Sequence, residues 1–219
     1  MNSSRLIITA VSRTSFALVI ASLLFACATP VTHQQFDFGS TSITTDNSAS
    51  NKLKILLAEI QVPASLEGSA MLYRLQYENA QELRPYAQSR WSMPPAQLLK
   101  QRIKTHINQA GGAVLAASDG VKNLPLLKLE LEEFSQHFSS PTQSQVQLRW
   151  RASLINNNQL IAQKIFQTQT RCESADAKGG VDGLLKSAIA GINAMPPKGT
   201  CATCTDDELK AAIEKMSGL

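Results

Sequence analysis

Residues 145–154, QVQLRWRASL, carry the clearest structural pattern in the sequence. Apolar residues stand at every second position, namely Val146, Leu148, Trp150, Ala152 and Leu154, with polar residues between most of them. Side chains of a β-strand point alternately to opposite faces, so this period of two predicts a strand with one buried and one solvated face. Such a strand needs partner strands, and the chain on either side of it supplies them.

A longer strand is predicted just before this stretch, over residues 126–138. Its apolar residues are Leu127, Leu129 and Leu131 on one face, then Phe134 and Phe138 on the other. The phase slips at Glu132-Glu133, which predicts a β-bulge or a sharp bend at that point.

Turn signals separate these strands from each other. Ser139-Ser140-Pro141 precedes the central stretch and Asn156-Asn157-Asn158 follows it. Residues 160–170 then return along it. Three consecutive strands joined by short turns predict an antiparallel meander.

Upstream of the meander, the pattern predicts more strands. Residues 53–62 are almost continuously apolar up to Pro63, which is typical of a strand buried on both faces. Residues 71–77 and 82–91 are predicted to pair as a hairpin around Asn79-Ala80-Gln81, with Pro85 marking an edge or a bulge.

A helix is predicted between the hairpin and the meander. Ser92 can cap it, Pro94 and Pro95 suit its first turn, and Gly111-Gly112 end it. Its apolar face is Ala96, Leu99, Ile103, Ile107 and Ala110. We therefore predict an α+β fold: an antiparallel sheet of about five to seven strands with one or two packed helices, plus a small helical C-terminal tail.

The N-terminus predicts export and lipidation. Arg5 and Arg13 precede a short apolar run of about 12 residues, whereas a membrane-spanning helix needs about 20. The run closes on LFAC, residues 24–27, where Leu24 and Ala26 stand as in a lipoprotein signal and Phe25 is bulkier than usual. We predict a signal peptide over 1–26 and a lipid on Cys27, the alternative being an ordinary signal peptide that contains a cysteine.

The residues after Cys27 predict a tether. Residues 27–52 are rich in Ser, Thr, Asn and Gln, with one short alternating strand over 34–39. Ala28 follows the cysteine where Asp would retain the protein at the inner membrane. In a Gram-negative host, this favours an outer-membrane anchor facing the periplasm.

Composition argues against several partners and activities. Charged residues are 17% of the chain, and the formal charge of +4 falls to +2 without Arg5 and Arg13. No basic cluster with interleaved aromatic residues is present, so we expect no nucleic-acid partner. We also find no catalytic constellation and no metal-ligand set, and we predict that the protein is not an enzyme.

Several short stretches together resemble the auxiliary lipoproteins of ABC-type intermembrane lipid transport systems, the kind found beside MCE proteins and in paraquat-inducible operons. They are the lipobox, residues 36–38, 60–66, 71–74, 86–91, 94–95 and 175–181. The most specific is Tyr86-x-x-x-Arg90-Trp91-x-x-Pro94-Pro95.

This resemblance implies a periplasmic α+β domain, over residues 53–181, without enzyme activity or cofactor. It implies docking onto an MCE-domain protein and its ABC permease and ATPase, to help phospholipid pass between the two membranes. Tyr73, Tyr86, Arg90 and Trp91 are the candidate partner-binding surface, and the alternative is that Tyr86 and Trp91 pack the helix against the sheet. Self-association as a homo-oligomer is left open.

The last residues, 182–219, begin with a predicted helix over 183–189 and resemble the C-terminal half of short bacterial class I c-type cytochromes. Met195 maps onto that family's axial haem ligand, as a vestige, and Cys201 and Cys204 map onto a local disulfide. Cys172 then remains as a free thiol. Thr205 and Glu208 form a capping box that predicts another helix after them.

The tail departs from cytochromes at the decisive point. Covalent haem attachment needs Cys-x-x-Cys-His, but Thr205 follows Cys204 and no such motif occurs elsewhere. Pro196, Pro197 and Gly199 indicate a loop rather than a thioredoxin-like motif, and a zinc site would need a fourth ligand. We therefore expect no haem, and an electron-transfer protein with a degenerate cytochrome domain is the alternative function.

Overall fold

The computed structural model describes residues 33–39, 54–109 and 111–194. The predicted signal peptide, Cys27, most of the tether and residues 195–219 lie outside these ranges. No helix within the described ranges is both long and apolar enough to cross a membrane.

Within these ranges, eight strands form one sheet, with two α-helices packed on it. The strands are β1 Gln34–Phe36, β2 Lys54–Leu57, β3 Ala70–Leu75, β4 Arg84–Trp91, β5 Ala113–Ala116, β6 Leu126–Ser140, β7 Gln143–Asn156 and β8 Gln159–Arg171. The helices are α1 Pro95–Gln109 and α2 Ala177–Asn193. The predicted α+β class is confirmed.

The predicted meander is confirmed as well. β6, β7 and β8 pair antiparallel along almost their full lengths. Leu131 lies opposite Trp150 while Glu133 lies opposite Arg149, so Glu132 is the extra residue of the predicted bulge. Asn157 and Asn158 take positive φ angles of 47° and 64° in the second turn, a conformation that asparagine tolerates better than most residues.

The sheet is mixed, however, and the expectation of a purely antiparallel sheet was wrong. β6 pairs parallel with β2 near its start and with β3 near its end. β1 also runs parallel to β4, and β5 runs parallel to β2. The reason is that a period-two pattern fixes which side chains share a face, whereas the direction of a distant partner strand depends on the tertiary path of the chain.

The predicted strand over residues 53–62 is shorter than expected. Regular pairing covers Lys54–Leu57, and the chain then continues along β6 through a single bridge between Gln61 and Glu130. Gln61 donates its backbone N–H to Leu129 and accepts one from Leu131. β5 has only four residues without alternation, and no strand was predicted there.

Both helices contribute to one apolar core. α1 buries Leu98, Leu99, Ile103 and Ile107, in agreement with most of its predicted apolar face. α2 lies close to β7, since a Cβ added at Gly191 would stand 2.8 Å from the Trp150 ring. The glycine therefore permits a helix-to-sheet approach that alanine would obstruct.

α2 also bears on where the domain ends. The Asp176 carboxylate caps it by accepting the Gly179 backbone N–H at 2.8 Å, and the helix then runs unbroken to Asn193. A boundary between residues 181 and 182 falls within the second turn of this helix. The predicted helix over 183–189 is thus the middle of a longer element that completes the core.

Candidate functional site

A buried polar network joins three strands beneath the start of α2. The Tyr86 hydroxyl of β4 donates to Gln136 Oε1 of β6 at 2.9 Å. Gln136 Nε2 donates in turn to the Ser144 hydroxyl of β7 at 2.8 Å and approaches Cys172 Sγ at 3.7 Å. We call these four residues the Gln136 network.

The backbone of α2 at Gly180 covers this network. A Cβ added at Gly180 would lie 2.1 Å from Gln136 Oε1, closer than any real contact. The backbone of the first turn of α2 therefore rests directly on the buried amide. Gly180 is therefore a local requirement of this packing, while a Cβ at Gly179 would instead lie 2.0 Å from the Ser174 carbonyl oxygen.

Aromatic rings border the network on its strand-edge side. The Tyr73 and Tyr86 ring centroids lie 4.6 Å apart, and Tyr73 also meets Phe138 edge-on at 5.9 Å. Tyr73 and Tyr86 are each half-buried. The two tyrosines thus form a small aromatic rim that is partly open to solvent.

The titratable groups of the Gln136 network are held in their neutral forms. Burial raises the pKa of Tyr86 well above its ordinary value, and the neighbouring Tyr73 adds to the effect. Burial likewise raises the pKa of the Cys172 thiol, against weaker lowering by Ser144 and Gln136. At neutral pH the phenol and the thiol are therefore protonated, which makes them hydrogen-bonding groups rather than nucleophiles.

A second buried network lies on the opposite face of β6. The Ser135 hydroxyl donates to the Glu133 carboxylate, and Ser135 Oγ lies 2.9 Å from His137 Nε2. His137 Nδ1 lies 3.1 Å from Gln76 Nε2, and Arg74 stands 3.9 Å from Glu133. We call this set the His137 network.

The His137 network contains a serine, a histidine and a carboxylate, but it is not arranged for catalysis. Ser135 has no exposed surface and His137 only 5%, so a substrate cannot reach the hydroxyl. Burial alone would raise the pKa of Glu133, but hydrogen bonds from His137 and Ser135 and the charge of Arg74 outweigh it, and the pKa lies below its usual range. The network is a partly exposed ionic link between β3 and β6, because the Arg74 and Glu133 side chains are 21% and 25% exposed.

The four candidate surface residues occupy different environments. Trp91 is 1% exposed and packs edge-on against Phe38, so it is a core residue, as in the packing alternative. Arg90 is its neighbour on β4 and points to the opposite face, because successive strand residues alternate. Only Tyr73 and Tyr86 are brought together, and Tyr86 is anchored by Gln136.

The other candidate residues fall partly outside the described ranges. Cys27, Met195, Cys201 and Cys204 all lie there, so lipidation and the tail disulfide remain predictions. Cys172 is a buried free thiol. Within the described ranges, no group of three or more His, Cys, Asp or Glu side chains could hold a metal ion.

Sequence reasoning missed Gln136, Ser144 and His137. All three stand in strands where a polar residue is normally predicted to face solvent. The double glycine at the start of α2 was the one available signal, since glycines on a helix indicate close approach of another element.

A shallow pocket of about 190 Å³ lies between the residues that follow β1 and helix α1. Asp37, Phe38 and Gly39 line one side, and Gln101, Arg102 and Thr105 of α1 line the other. Its lining mixes polar and apolar groups, and these residues do not bring a nucleophile together with a general base.

Together these features define a class of protein: a mixed-sheet α+β domain whose buried polar groups are structural. Residues 38–192 match the sequence profile of the ABC-type transport auxiliary lipoprotein component. The match covers well over half of the chain, and the chain belongs to this family. The resemblance that the short motifs suggested is confirmed.

Solved structures agree with this assignment at the level of the fold. The crystal structure of protein XCC0632 from Xanthomonas campestris superposes with a TM-score of 0.60 at 15% identity, over 73% of this chain and 90% of that chain. Another crystal structure, of an uncharacterized protein, gives a TM-score of 0.57 at 15% identity, over 74% of this chain and 95% of that one.

Part of the chain is also similar to cytochromes. It is 66% identical over 58 residues to cytochrome c5 of Ectopseudomonas mendocina, which is 26% of this chain and 67% of that protein. Cytochrome c5 of Azotobacter vinelandii is 63% identical over 60 residues, 27% of this chain and 72% of that protein. Matches of this length exceed the segment 182–219, so they include residues that precede it.

Proposed function

We propose that the protein is an outer-membrane-anchored periplasmic lipoprotein and a non-enzymatic auxiliary component of an ABC/MCE-type intermembrane phospholipid transport system. The profile match over residues 38–192 carries the proposal. The groups of the Gln136 network are buried and hydrogen-bonded to one another, which supports a structural rather than a catalytic role for them.

The anchor follows from the lipobox. A single acyl chain binds a membrane only marginally, whereas several chains hold a protein stably. Cys27 with its acyl chains would tether the domain through residues 28–52. Replacing Cys27 with serine should release the protein from the membrane fraction. Retention of the variant in that fraction with unchanged gel mobility would contradict the anchor.

The aromatic rim is our candidate docking surface for an MCE-domain protein. Tyr73 and Tyr86 are half-buried, and β1 pairs only with residues 89–91, so the β4 edge beside Tyr86 has no neighbouring strand within the described chain. Aromatic side chains with partly buried polar tips are favoured at protein interfaces. Trp91 supports this edge from the core, and Arg90 lies on the far face.

The test is cross-linking and co-purification of tagged protein from native membranes. Recovery of an MCE-domain protein with its permease and ATPase is the expected result, and Tyr73→Ala should weaken it. Tyr77→Ala is the matched control, because Tyr77 follows β3 but is 43% exposed and outside the rim. Repeated recovery of the bait without any MCE-domain protein would refute the proposed partner.

The second candidate is electron transfer, which the cytochrome c5 matches favour. We do not favour electron transfer, because the sequence lacks the Cys-x-x-Cys-His motif that attaches haem covalently. An absorbance scan of the purified full chain separates the two functions. A Soret band would show that haem is bound and that a transport role alone is an incomplete account.

A further inference from the structure

A row of aliphatic side chains crosses five strands on the face of the sheet that points away from the helices. Residues paired across neighbouring strands point to the same face, and the pairings join one residue from each of β5, β2, β6, β7 and β8. These residues, which we call the aliphatic row, are Leu115, Leu56, Leu126, Ile155 and Leu160. Neighbouring strands lie about 4.8 Å apart, so the row is about 19 Å long. Leu160 is 58% exposed and the other four members are half-buried.

The direction of the row follows from strand alternation. Ile55 and Leu57 are 3% and 1% exposed in the core, so Leu56 between them points to the other face. On β7, the Trp150 ring lies against α2, and Ile155 is five residues further on, so it points away from that helix. The row is therefore an apolar strip on a face that neither described helix covers.

Two lysines border the row on the same face. Lys54 stands two positions before it on β2, and Lys128 stands two positions after it on β6. Both lysines are exposed, and neither forms an ion pair with a residue that the structure describes. The next outward residue on β6 is Glu130, whose carboxylate is already paired with Arg151 at 3.1 Å. The aliphatic row thus has a cationic border.

This composition fits a lipid surface better than a protein partner. The five members of the row include no aromatic side chain, no arginine and no hydrogen-bonding side chain, whereas the centres of protein interfaces are enriched in aromatic residues and arginine. A second copy docked face to face would bring the bordering lysines of both copies together. A bilayer surface instead gains from buried aliphatic area and from basic groups near anionic headgroups.

We propose that the aliphatic row, with Lys54 and Lys128, is a membrane-contact face that rests on a bilayer containing anionic phospholipid. The aliphatic side chains enter the headgroup region, and the two ammonium groups lie at the lipid phosphates. Contact of this size is weak and reversible, so it orients a domain that is already tethered rather than holding it at the membrane. It is therefore compatible with release of the Cys27→Ser protein from the membrane fraction. The contact itself needs neither the anchor nor the transport partner.

Co-sedimentation with sucrose-loaded vesicles tests the contact at equilibrium. Residues 27–219 carrying Cys27→Ser are used, so that no acyl chain contributes. At millimolar lipid, we expect binding to vesicles of about three parts phosphatidylcholine to one part phosphatidylglycerol, and binding about fivefold weaker or less to pure phosphatidylcholine. Binding to the mixed vesicles should also fall as salt is added.

Matched substitutions locate the contact on the sheet. Leu160→Ser should lower the partition coefficient for mixed vesicles about tenfold, because it removes the most exposed aliphatic group of the row. Ile165→Ser is the control, since Ile165 lies on the same face of the same strand and is 54% exposed but is outside the row. It should change the coefficient by less than about twofold. Lys128→Glu should lower the coefficient about tenfold, and Lys178→Glu, at an exposed lysine of α2, should have a much smaller effect.

Other results would overturn the proposal. They are an absence of binding to the mixed vesicles, equal losses for Leu160→Ser and Ile165→Ser, or a dimer without vesicles that Leu160→Ser disrupts, which would make a second copy the occupant. Native fluorescence of Trp91 and Trp150 should show that every variant is folded. Failure to recover an MCE-domain protein would refute the proposed partner but would leave the vesicle result unchanged.

Discussion

The two faces of β6 bury two networks of different chemistry within three residues of each other. Gln136 points towards α2 and belongs to a set of neutral groups, Tyr86, Ser144 and Cys172. Ser135 and His137 point the other way and belong to a set with two charged members, Glu133 and Arg74. Strand alternation produces both from adjacent residues.

The two networks respond to different changes in their surroundings. The Gln136 network is closed by a helix, so it tolerates neither added volume nor a missing partner. The His137 network depends on ionisation, so it responds to pH. Substitutions that change volume and substitutions that remove a charge should therefore affect the two networks differently.

The largest effect is expected where the helix touches the Gln136 network. Gly180→Ala would place a methyl group 2.1 Å from Gln136 Oε1, so either the Gln136 amide must leave its hydrogen bonds or α2 must shift. Overpacking of this kind costs about 1–3 kcal/mol in the free energy of unfolding. Urea denaturation followed by tryptophan fluorescence measures it. Gly68→Ala is the control, since no atom lies within 4 Å of its added Cβ, and an equal loss there would disprove the packing argument.

Removing the central amide should come next. Gln136→Ala leaves the Tyr86 and Ser144 hydroxyls without their shared partner, at a cost of about 2 kcal/mol. Tyr86→Phe removes only one of the hydrogen bonds and should cost about 1 kcal/mol. A double-mutant cycle between the two positions should give a coupling energy clearly different from zero. Simple additivity would mean that Tyr86 and Gln136 do not act together.

The His137 network should give a smaller, pH-dependent effect. Glu133 has a lowered pKa in the folded state, so its carboxylate stabilises the fold above the unfolded pKa of about 4.3, and that stability is lost as pH falls through the folded pKa. Glu133→Gln should lose about 1 kcal/mol at pH 7 and should flatten the dependence of stability on pH below about 5. Gln136→Ala should leave that dependence unchanged. Parallel pH curves for wild type and Glu133→Gln would rule out the ionic role.

The smallest effect is expected at Cys172. Its hydrogen bond to Gln136 is weak at 3.7 Å, so Cys172→Ala should cost no more than about 1 kcal/mol. Its reactivity is more informative. In a Cys201→Ser/Cys204→Ser background, a maleimide should modify Cys172 slowly in the native protein and quickly in urea. Rapid native modification would show that the thiol is accessible.

Local patterns were sufficient for three of the eight described strands, those of the meander. The alternation from Val146 to Leu154, the slip at Glu132-Glu133 and the asparagine turn determine β6, β7 and β8, because each strand pairs with its neighbour in sequence. The parallel pairs of β6 with β2 and β3 involve residues that are far apart in the chain. No local signal specifies such partners.

The candidate site was predicted less completely than the fold. The motif around Tyr86 and Trp91 was predicted from sequence, but the structure separates its residues. Tyr86 lies in the aromatic rim, Trp91 lies in the core, and Arg90 lies on the face of β4 opposite Trp91. Gln136 and His137 could not be recognised as buried, since a strand can be covered on both faces only by elements that the tertiary structure supplies.

The meander, the first helix, the family and the predicted lipid anchor can all be derived from local sequence, because each depends on residues within a few positions of one another. The mixed sheet, the close packing of α2 on Gln136 and the separation of Trp91 from Arg90 are visible only in the folded chain. These depend on contacts between distant segments, where excluded volume and the burial of polar groups select one arrangement among many that the local patterns permit.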